Sequence, residues 1–326
     1  MTLIDRFQRS ISYLRLSVTD RCNLRCRYCM PASGPELQPR EELLTRQELV
    51  RLTGIFLDLG IRKVRVTGGE PFMRKDVLNL LGELRDLHGL ESLHITTNGL
   101  GIAAHVPALR DIGIAGVNLS LDTLDRHTFE KITGTDGLDD VLVTFRTLLD
   151  HDLPVKINMV VLGEWNSDEI GRIAHMACDH QVEVRFIEEM PLIGVARAST
   201  THWDQTRILD RLTSELGSLQ PLPSNSGTAR RFAVAGFTGT VGIIAGHSRT
   251  FCPSCDRIRI TASGLMKTCL YGPDALDLKQ MLRDGAEDDT IGAAVAEQVA
   301  NRSSDGFEAH SGCGIRTSDC MSSIGG

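Results

Sequence analysis

The chain has 326 residues, with 35 Lys and Arg against 42 Asp and Glu, for a formal net charge of −7. That charge argues against bulk nucleic acid as a partner, which calls for a basic surface, and no run of about 18 apolar residues occurs to span a bilayer. Hydrophobic residues make up 41%, which suits a globular chain long enough for one barrel-sized domain with an appendage, or for two domains. Nine cysteines in a chain with no apolar signal core at its start read as metal ligands or redox groups in a reducing cytoplasm, not as disulfides.

The first strand-like run is Tyr13–Val18. It leads into Arg21-Cys22-Asn-Leu-Arg-Cys26-Arg-Tyr28-Cys29-Met30, a C-x3-C-x2-C motif. Three thiolates so close together can hold three irons of a four-iron cluster and leave the fourth without a protein ligand. An open iron is a reaction site, by the logic that separates catalytic from structural zinc. Structural zinc is the alternative, but such sites are closed by four ligands and no histidine lies close to Cys29.

Thr45–Leu59 carries apolar residues at Leu49, Leu52, Ile55, Phe56 and Leu59, which is helical spacing. Strand-like runs recur at Lys63–Thr67, Ser92–Thr97, Gly116–Leu121, Pro154–Val161 and Val182–Glu188, each followed by a helix-like stretch. Strands alternating with helices imply a parallel sheet. Six such units predict an α/β fold with an incomplete (β/α)6 barrel over residues 1–190, short of the full eight. The alternative is a doubly wound open sheet, whose Gly-rich dinucleotide turn the opening residues lack. Ser167–Asp179 predicts a helix that buries Cys178 as an inert thiol.

Alternate side chains of a barrel strand point inward. Lys63, Arg65 and Thr67 share one face, Lys156 and Asn158 share one, and Arg15 alternates with Leu14 and Leu16. Inward cations are costly unless they meet an anion or a wet cavity, and several converging fit a polyphosphate. Thr67-Gly68-Gly69-Glu70-Pro71 ends a strand. Its glycines let backbone approach a ligand closely, and Glu70 can accept hydrogen bonds from an ammonium. Ser120 and Met190 fall at strand ends, where a barrel carries its active site.

The pattern changes after Met190, and residues 191–326 are read as a second region. Residues 191–230, with Pro191, Pro221 and Pro223, read as irregular. Two hairpins are predicted, Arg231–Ala235 with Thr240–Ala245, and Arg257–Thr261 with Leu265–Cys269 turning at Ser263-Gly264. Cys252, Cys255 and Cys269 form C-x2-C-x13-C. This trio is either a second open cluster, whose iron takes a substrate nitrogen or oxygen, or a zinc or closed-cluster site completed by Cys313 or Cys320. Arg257 and Arg259 share a strand face just after it. Helices near Ala275–Arg283 and Asp288–Asn301 precede a Gly- and Ser-rich tail of little periodicity.

With Tyr28 in its aromatic place, the first motif resembles the C-x3-C-x-aromatic-C signature of the radical S-adenosylmethionine (SAM) superfamily. Asp5 through Cys26, Val66 through Pro71, Thr96-Thr97-Asn98-Gly99, Asn118 through Asp122, Val155-Lys156-Ile157-Asn158, Arg185 through Glu188, Phe251 through Arg259 and the terminal Gly325-Gly326 resemble the GTP 3',8-cyclase family. That family opens molybdenum cofactor biosynthesis. The resemblance implies SAM and two [4Fe–4S] clusters, one on Cys22, Cys26 and Cys29, the other on Cys252, Cys255 and Cys269 and facing the guanine. It implies SAM contacts at Tyr28, Gly69, Glu70, Ser120 and Met190. GTP contacts are implied at Arg15, Lys63, Arg65, Thr96, Lys156, Arg257 and Arg259, the last two counted with Cys22, Cys26 and Cys29 as catalytic.

The implied reaction cleaves SAM to methionine and a 5'-deoxyadenosyl radical, which takes hydrogen from C3' of GTP. Attack of the ribose radical on C8 follows, and one electron and a proton complete 3',8-cyclo-7,8-dihydro-GTP. Partners implied are an external one-electron donor and the cyclic pyranopterin monophosphate synthase of the next step, with a homodimer allowed. Neither membrane nor nucleic acid is expected. The resemblance places the Gly-Gly tail in the active site, and the expectation, set against a frayed terminus, is that it orders the pocket and positions Arg316 or its neighbours near the substrate. Residues 302–323 depart from the family pattern, and Cys313 and Cys320 have no family role. Two readings compete: a radical SAM maturase acting on a peptide, against which the inward cations and Gly-Gly end count, and a zinc-dependent scaffold, which iron in the purified protein would remove.

Overall fold

The computed structural model describes residues 2–31, 33–190, 199–223, 227–311 and 320–325. A small hairpin of β1 (Leu3–Ile4) and β2 (Ser10–Ile11) comes first. Six parallel strands follow: β3 (Tyr13–Ser17), β4 (Lys63–Thr67), β5 (Ser92–Thr97), β6 (Gly116–Ser120), β7 (Val155–Val161) and β8 (Glu183–Glu188). Their order in the sheet is their order in the chain. Right-handed crossovers between such neighbours put the helices on one face. A doubly wound sheet would instead reverse its order midway, so the barrel-type reading holds.

Residues facing the helices are those the alternation left apolar. Leu14 and Leu16, Val64 and Val66, Val117 and Leu119, Ile157 and Met159 are fully buried. They share one core with Leu49, Leu52 and Phe56 of α1 (Arg46–Asp58). Thr45 starts that helix by accepting the Glu48 N–H at 3.2 Å, while the Glu48 carboxylate accepts the Thr45 N–H at 2.7 Å. The core therefore lies between strands and helices. The inner face of the sheet carries polar side chains, unlike a barrel filled by branched apolar residues, and so encloses a cavity.

Both C-terminal hairpins form. They consist of β10 (Ala229–Val234) with β11 (Thr240–Ile244) and of β12 (Arg257–Ile260) with β13 (Leu265–Lys267), with β9 (Leu219–Pro221) and β14 (Leu276–Asp277) at the outer edges. Their attachment is the surprise. β11 lies parallel beside β8, and β12 lies parallel beside β3, so each hairpin extends one edge of the six-stranded sheet. One twelve-stranded sheet thus runs through both sequence regions.

Three expectations change. The stretch read as irregular contains the helix Gln205–Leu216, capped by Asp204 and burying Ile208 and Leu212. Its narrow apolar stripe is hidden among Thr, Ser and Arg. The helix expected over Ser167–Asp179 is broken into short α and 3-10 turns, and Cys178 is half-buried, not buried. The aperiodic tail includes the short helices Gly306–Ser311 and Met321–Ile324. Cys313, Arg316 and Gly326 lie outside the described residues. Among the described residues no helix is long and apolar enough to cross a membrane.

Candidate functional site

The cavity has two chambers, of 210 Å³ and 280 Å³. Arg15, Asn118, Asn158, Met190 and Met321 border both, which makes one continuous space.

Cys22, Cys26 and Cys29 line the smaller chamber, from the loop that follows β3. That loop is seated on the end of β4. Gly69 N–H donates to the Thr19 carbonyl at 2.7 Å and Glu70 N–H to that of Arg21 at 2.8 Å. A Cβ on Gly69 would lie 2.3 Å from the Arg21 carbonyl oxygen, and one on Gly68 would lie 2.6 Å from that of Thr19. The glycine pair therefore admits the cysteine loop's own backbone, a role the sequence reading had given to a ligand. Tyr28, Gly69, Ser120 and Met190 all border this chamber, and so does Thr96, which the resemblance put with the nucleotide.

Glu70 does not border it. Its carboxylate is 1% exposed and accepts hydrogen bonds from the Thr97 hydroxyl at 3.0 Å, Asn98 N–H at 2.7 Å and Phe72 N–H at 3.2 Å. Burial pushes it up to about 7 against those bonds. In this structure Glu70 fixes the turn after β5, and the same carboxylate is the one expected to meet an ammonium. The turn presents Asn98, whose Nδ2 lies 3.7 Å from Cys22 Sγ. Asp122 is a further residue the sequence reading passed over. It accepts the Tyr28 hydroxyl at 2.8 Å and the Val160 N–H at 2.8 Å, and burial pushes it up to about 6.

The larger chamber gathers Arg15, Lys63, Arg65, Lys156, Arg257 and Arg259, all expected from strand alternation or the resemblance. Adjacent strands lie about 4.8 Å apart, and two unit charges about 5 Å apart repel by about 3 kcal/mol at an effective dielectric of 20. Burial and mutual repulsion accordingly pull Arg15 and Arg65 down, and Arg259 down to about 10. Glu183 relieves one side, accepting from Lys156 at 3.1 Å and Arg185 at 2.6 Å. Arg185 and Tyr13 also line this chamber and were not among the expected contacts. The signal for Arg185 was its place on the inner face of β8, in register with Asn158.

Cys252, Cys255 and Cys269 form one wall of the larger chamber. Arg302, 4% exposed, donates to the Cys255 carbonyl at 3.3 Å and reaches Cys255 Sγ at 3.5 Å. Arg9 donates to the Cys252 carbonyl at 3.0 Å and is held by Asp5 at 2.5 Å. The chain end closes the space between the trios. Met321 N–H donates to the Cys29 carbonyl at 3.1 Å, and Arg259 Nη1 donates to the Gly325 carbonyl at 2.8 Å. Cys320, weighed as a fourth ligand for the second trio, lies instead beside Cys29.

The donor sets fit iron–sulfur clusters. Burial raises the thiols of Cys22, Cys26, Cys29, Cys252 and Cys269, which keeps them protonated until a cation claims them as thiolates. Among the described residues no three His, Cys, Asp or Glu side chains are gathered as a single-ion site. Each trio lines a chamber wall. Arg15 Nε, Thr96 Oγ1 and Asn158 Oδ1 are buried here without a hydrogen-bond partner, which marks polar room for a ligand.

Residues 16–177 match the Radical SAM superfamily, and residues 182–307 match the family described as Molybdenum Cofactor Synthesis C. The chain is 40% identical over 325 residues to a GTP 3',8-cyclase of Moorella thermoacetica, covering 99% of each. It is 40% identical over 304 residues to the mitochondrial GTP 3',8-cyclase of Arabidopsis thaliana, covering 91% of this chain and 78% of that one. It is 39% identical to human molybdenum cofactor biosynthesis protein 1, over 91% of this chain and 48% of that longer protein. The crystal structure of Streptococcus suis SuiB bound to S-adenosylmethionine superposes with a TM-score of 0.62 at 16% identity, over 88% of this chain and 69% of that chain.

Proposed function

The chain belongs to the GTP 3',8-cyclase family of radical SAM enzymes, and from that premise we propose how its two chambers divide the reaction. The enzyme converts GTP to (8S)-3',8-cyclo-7,8-dihydroguanosine 5'-triphosphate, with SAM cleaved to 5'-deoxyadenosine and methionine, the first step of molybdenum cofactor biosynthesis. It depends on SAM and a [4Fe–4S] cluster. When bound, that pair would supply the 5'-deoxyadenosyl radical that takes the C3' hydrogen of GTP, the cluster relaying the electron it receives.

In this proposal Cys22, Cys26 and Cys29 hold the SAM cluster, while Gly69, Ser120, Met190 and Tyr28 border SAM. Glu70 acts one layer back, through Asn98. Cys252, Cys255 and Cys269 hold a second cluster against the guanine. Arg15, Lys63, Arg65, Lys156, Arg257 and Arg259 neutralise and orient the triphosphate and ribose, with Thr96 between the two ligands. The observation that carries the reading is the shared border of the chambers at Arg15, Asn118, Asn158 and Met190. A radical made at the first trio reaches a nucleotide at the second without crossing solvent, which protects it from quenching. Met321 and Gly325 help to shut the same space.

The cleavage consumes one electron, and completing the cyclised nucleotide radical consumes a second electron and a proton from solvent. Neither SAM nor GTP provides these electrons, so an external one-electron donor acting twice per turnover is part of the proposal, as is delivery of the product to cyclic pyranopterin monophosphate synthase. The described cysteines are free thiols, which suits a reducing compartment such as the cytoplasm.

The test is anaerobic incubation with GTP, SAM and reductant, with both products followed by mass spectrometry. Cys22→Ala should lose 5'-deoxyadenosine and the cyclised nucleotide together. Cys252→Ala should still release 5'-deoxyadenosine and lose the cyclised nucleotide. Persistent 5'-deoxyadenosine in Cys22→Ala would remove the first trio from SAM cleavage, and normal cyclisation in Cys252→Ala would remove the second from the nucleotide.

A further inference from the structure

The cations of the larger chamber surround one residue that is not a cation. Register sets two rows across β12, β3 and β4: Arg257, Tyr13 and Lys63, then Arg259, Arg15 and Arg65. All six line the chamber. Tyr13 is 6% exposed and sits in the middle of its row. Its hydroxyl accepts Arg65 Nε–H at 2.5 Å, while Arg65 Nη1 donates to the Ile95 carbonyl at 3.1 Å. Two bonds from one planar group fix its orientation and leave its other N–H donors free for the chamber. On the ring of Tyr13, Lys63 Nζ lies 4.7 Å and the Arg257 guanidinium 5.3 Å from the centroid.

We infer that Tyr13 is a positioning residue for the nucleotide, whose hydroxyl and ring hold Arg65, Lys63 and Arg257 aimed at one point before the substrate's phosphates arrive. The inference rests on the larger chamber being the GTP site. Burial alone would raise the Tyr13 phenol, yet Arg65, Arg15, Arg257 and Lys63 together draw it down to about 7. A tyrosine used only for packing would need no such partners.

The experiment is a double-mutant cycle on the cluster-loaded enzyme, read by equilibrium dialysis of labelled GTP without reductant. Tyr13→Phe keeps the ring, and with it the Lys63 and Arg257 contacts, and removes only the hydroxyl. It should weaken GTP binding about tenfold, the size of one lost charge-assisted hydrogen bond, with an unchanged melting temperature. In an Arg65→Ala background the same change should have almost no further effect, because the hydroxyl acts through Arg65. Unchanged GTP affinity in Tyr13→Phe overturns the inference. So does an equal loss with and without Arg65, which would mean that the hydroxyl acts by another route. If Arg65→Ala itself binds GTP normally, the chamber is not the nucleotide site, and the inference falls together with the reading beneath it.

Discussion

Replacing Gly325 with Ala tests the docked chain end. Gly325 has φ +80°, and a Cβ there would lie 2.8 Å from Ser17 Cβ and 2.9 Å from Thr67 Oγ1. The left-handed conformation costs a non-glycine residue about 1–2 kcal/mol, and the extra carbon in filled space costs about 1–3 kcal/mol. The main polar anchor of the tail, the Arg259 bond to the Gly325 carbonyl, is worth about 1.5–3 kcal/mol. The added strain therefore matches what holds the segment down, and a shift of about 3 kcal/mol changes the docking equilibrium more than a hundredfold. Cyclised product should fall at least about tenfold, while iron content, melting temperature and 5'-deoxyadenosine release persist. Gly285→Ala is the control, since Gly285 has the same φ +80° with nothing within 4 Å of its Cβ position. It should carry the backbone strain without the loss of product. Wild-type cyclisation in Gly325→Ala would refute the reasoning, and loss of iron or a lowered melt would assign the tail to folding instead.

Arg257→Ala and Arg259→Ala should each weaken GTP binding about tenfold or more, the loss of one charge-assisted contact. Only Arg259→Ala should also expose the chain end to protease, because only Arg259 bonds Gly325; normal GTP binding in both would move the anion pocket elsewhere. Glu70→Gln tests the buried carboxyl, which is raised from 4.5 to about 7. Such a group costs nothing while protonated in both states, and folding stability is lost as pH rises from about 4.5 to 7, by about 3 kcal/mol in all. The neutral variant lacks that loss, so denaturation curves at pH 5.5 and 8 should separate less than those of the wild type. Parallel losses in the two proteins would mean that Glu70 is not the titrating group.

Much of the site could be read from the chain because its chemistry is local or periodic. Cys22, Cys26 and Cys29 are near neighbours in sequence, so their spacing alone limits them to a common centre. Strand period two sorted Lys63 and Arg65 from Val64 and Val66 without any knowledge of the partner strands. What the chain could not disclose is lateral order. Parallel pairing has no turn that announces it, so nothing local says that β12 lies beside β3 and aligns Arg257 with Tyr13 and Arg259 with Arg15. Alternation puts Tyr13 on the face of Arg15, but nothing local says that Lys63 and Arg257 flank its ring. Nor does the chain say that Thr97 and Asn98, a strand away, bond the carboxylate of Glu70. Which residues carry charge, sulfur and helix-facing apolar surface follows from side-chain type and repeat, and is legible in the chain. Which of them meet follows from the fold, because long-range pairing of strands and the seating of Gly325 between Ser17 and Thr67 depend on contacts that no local pattern encodes.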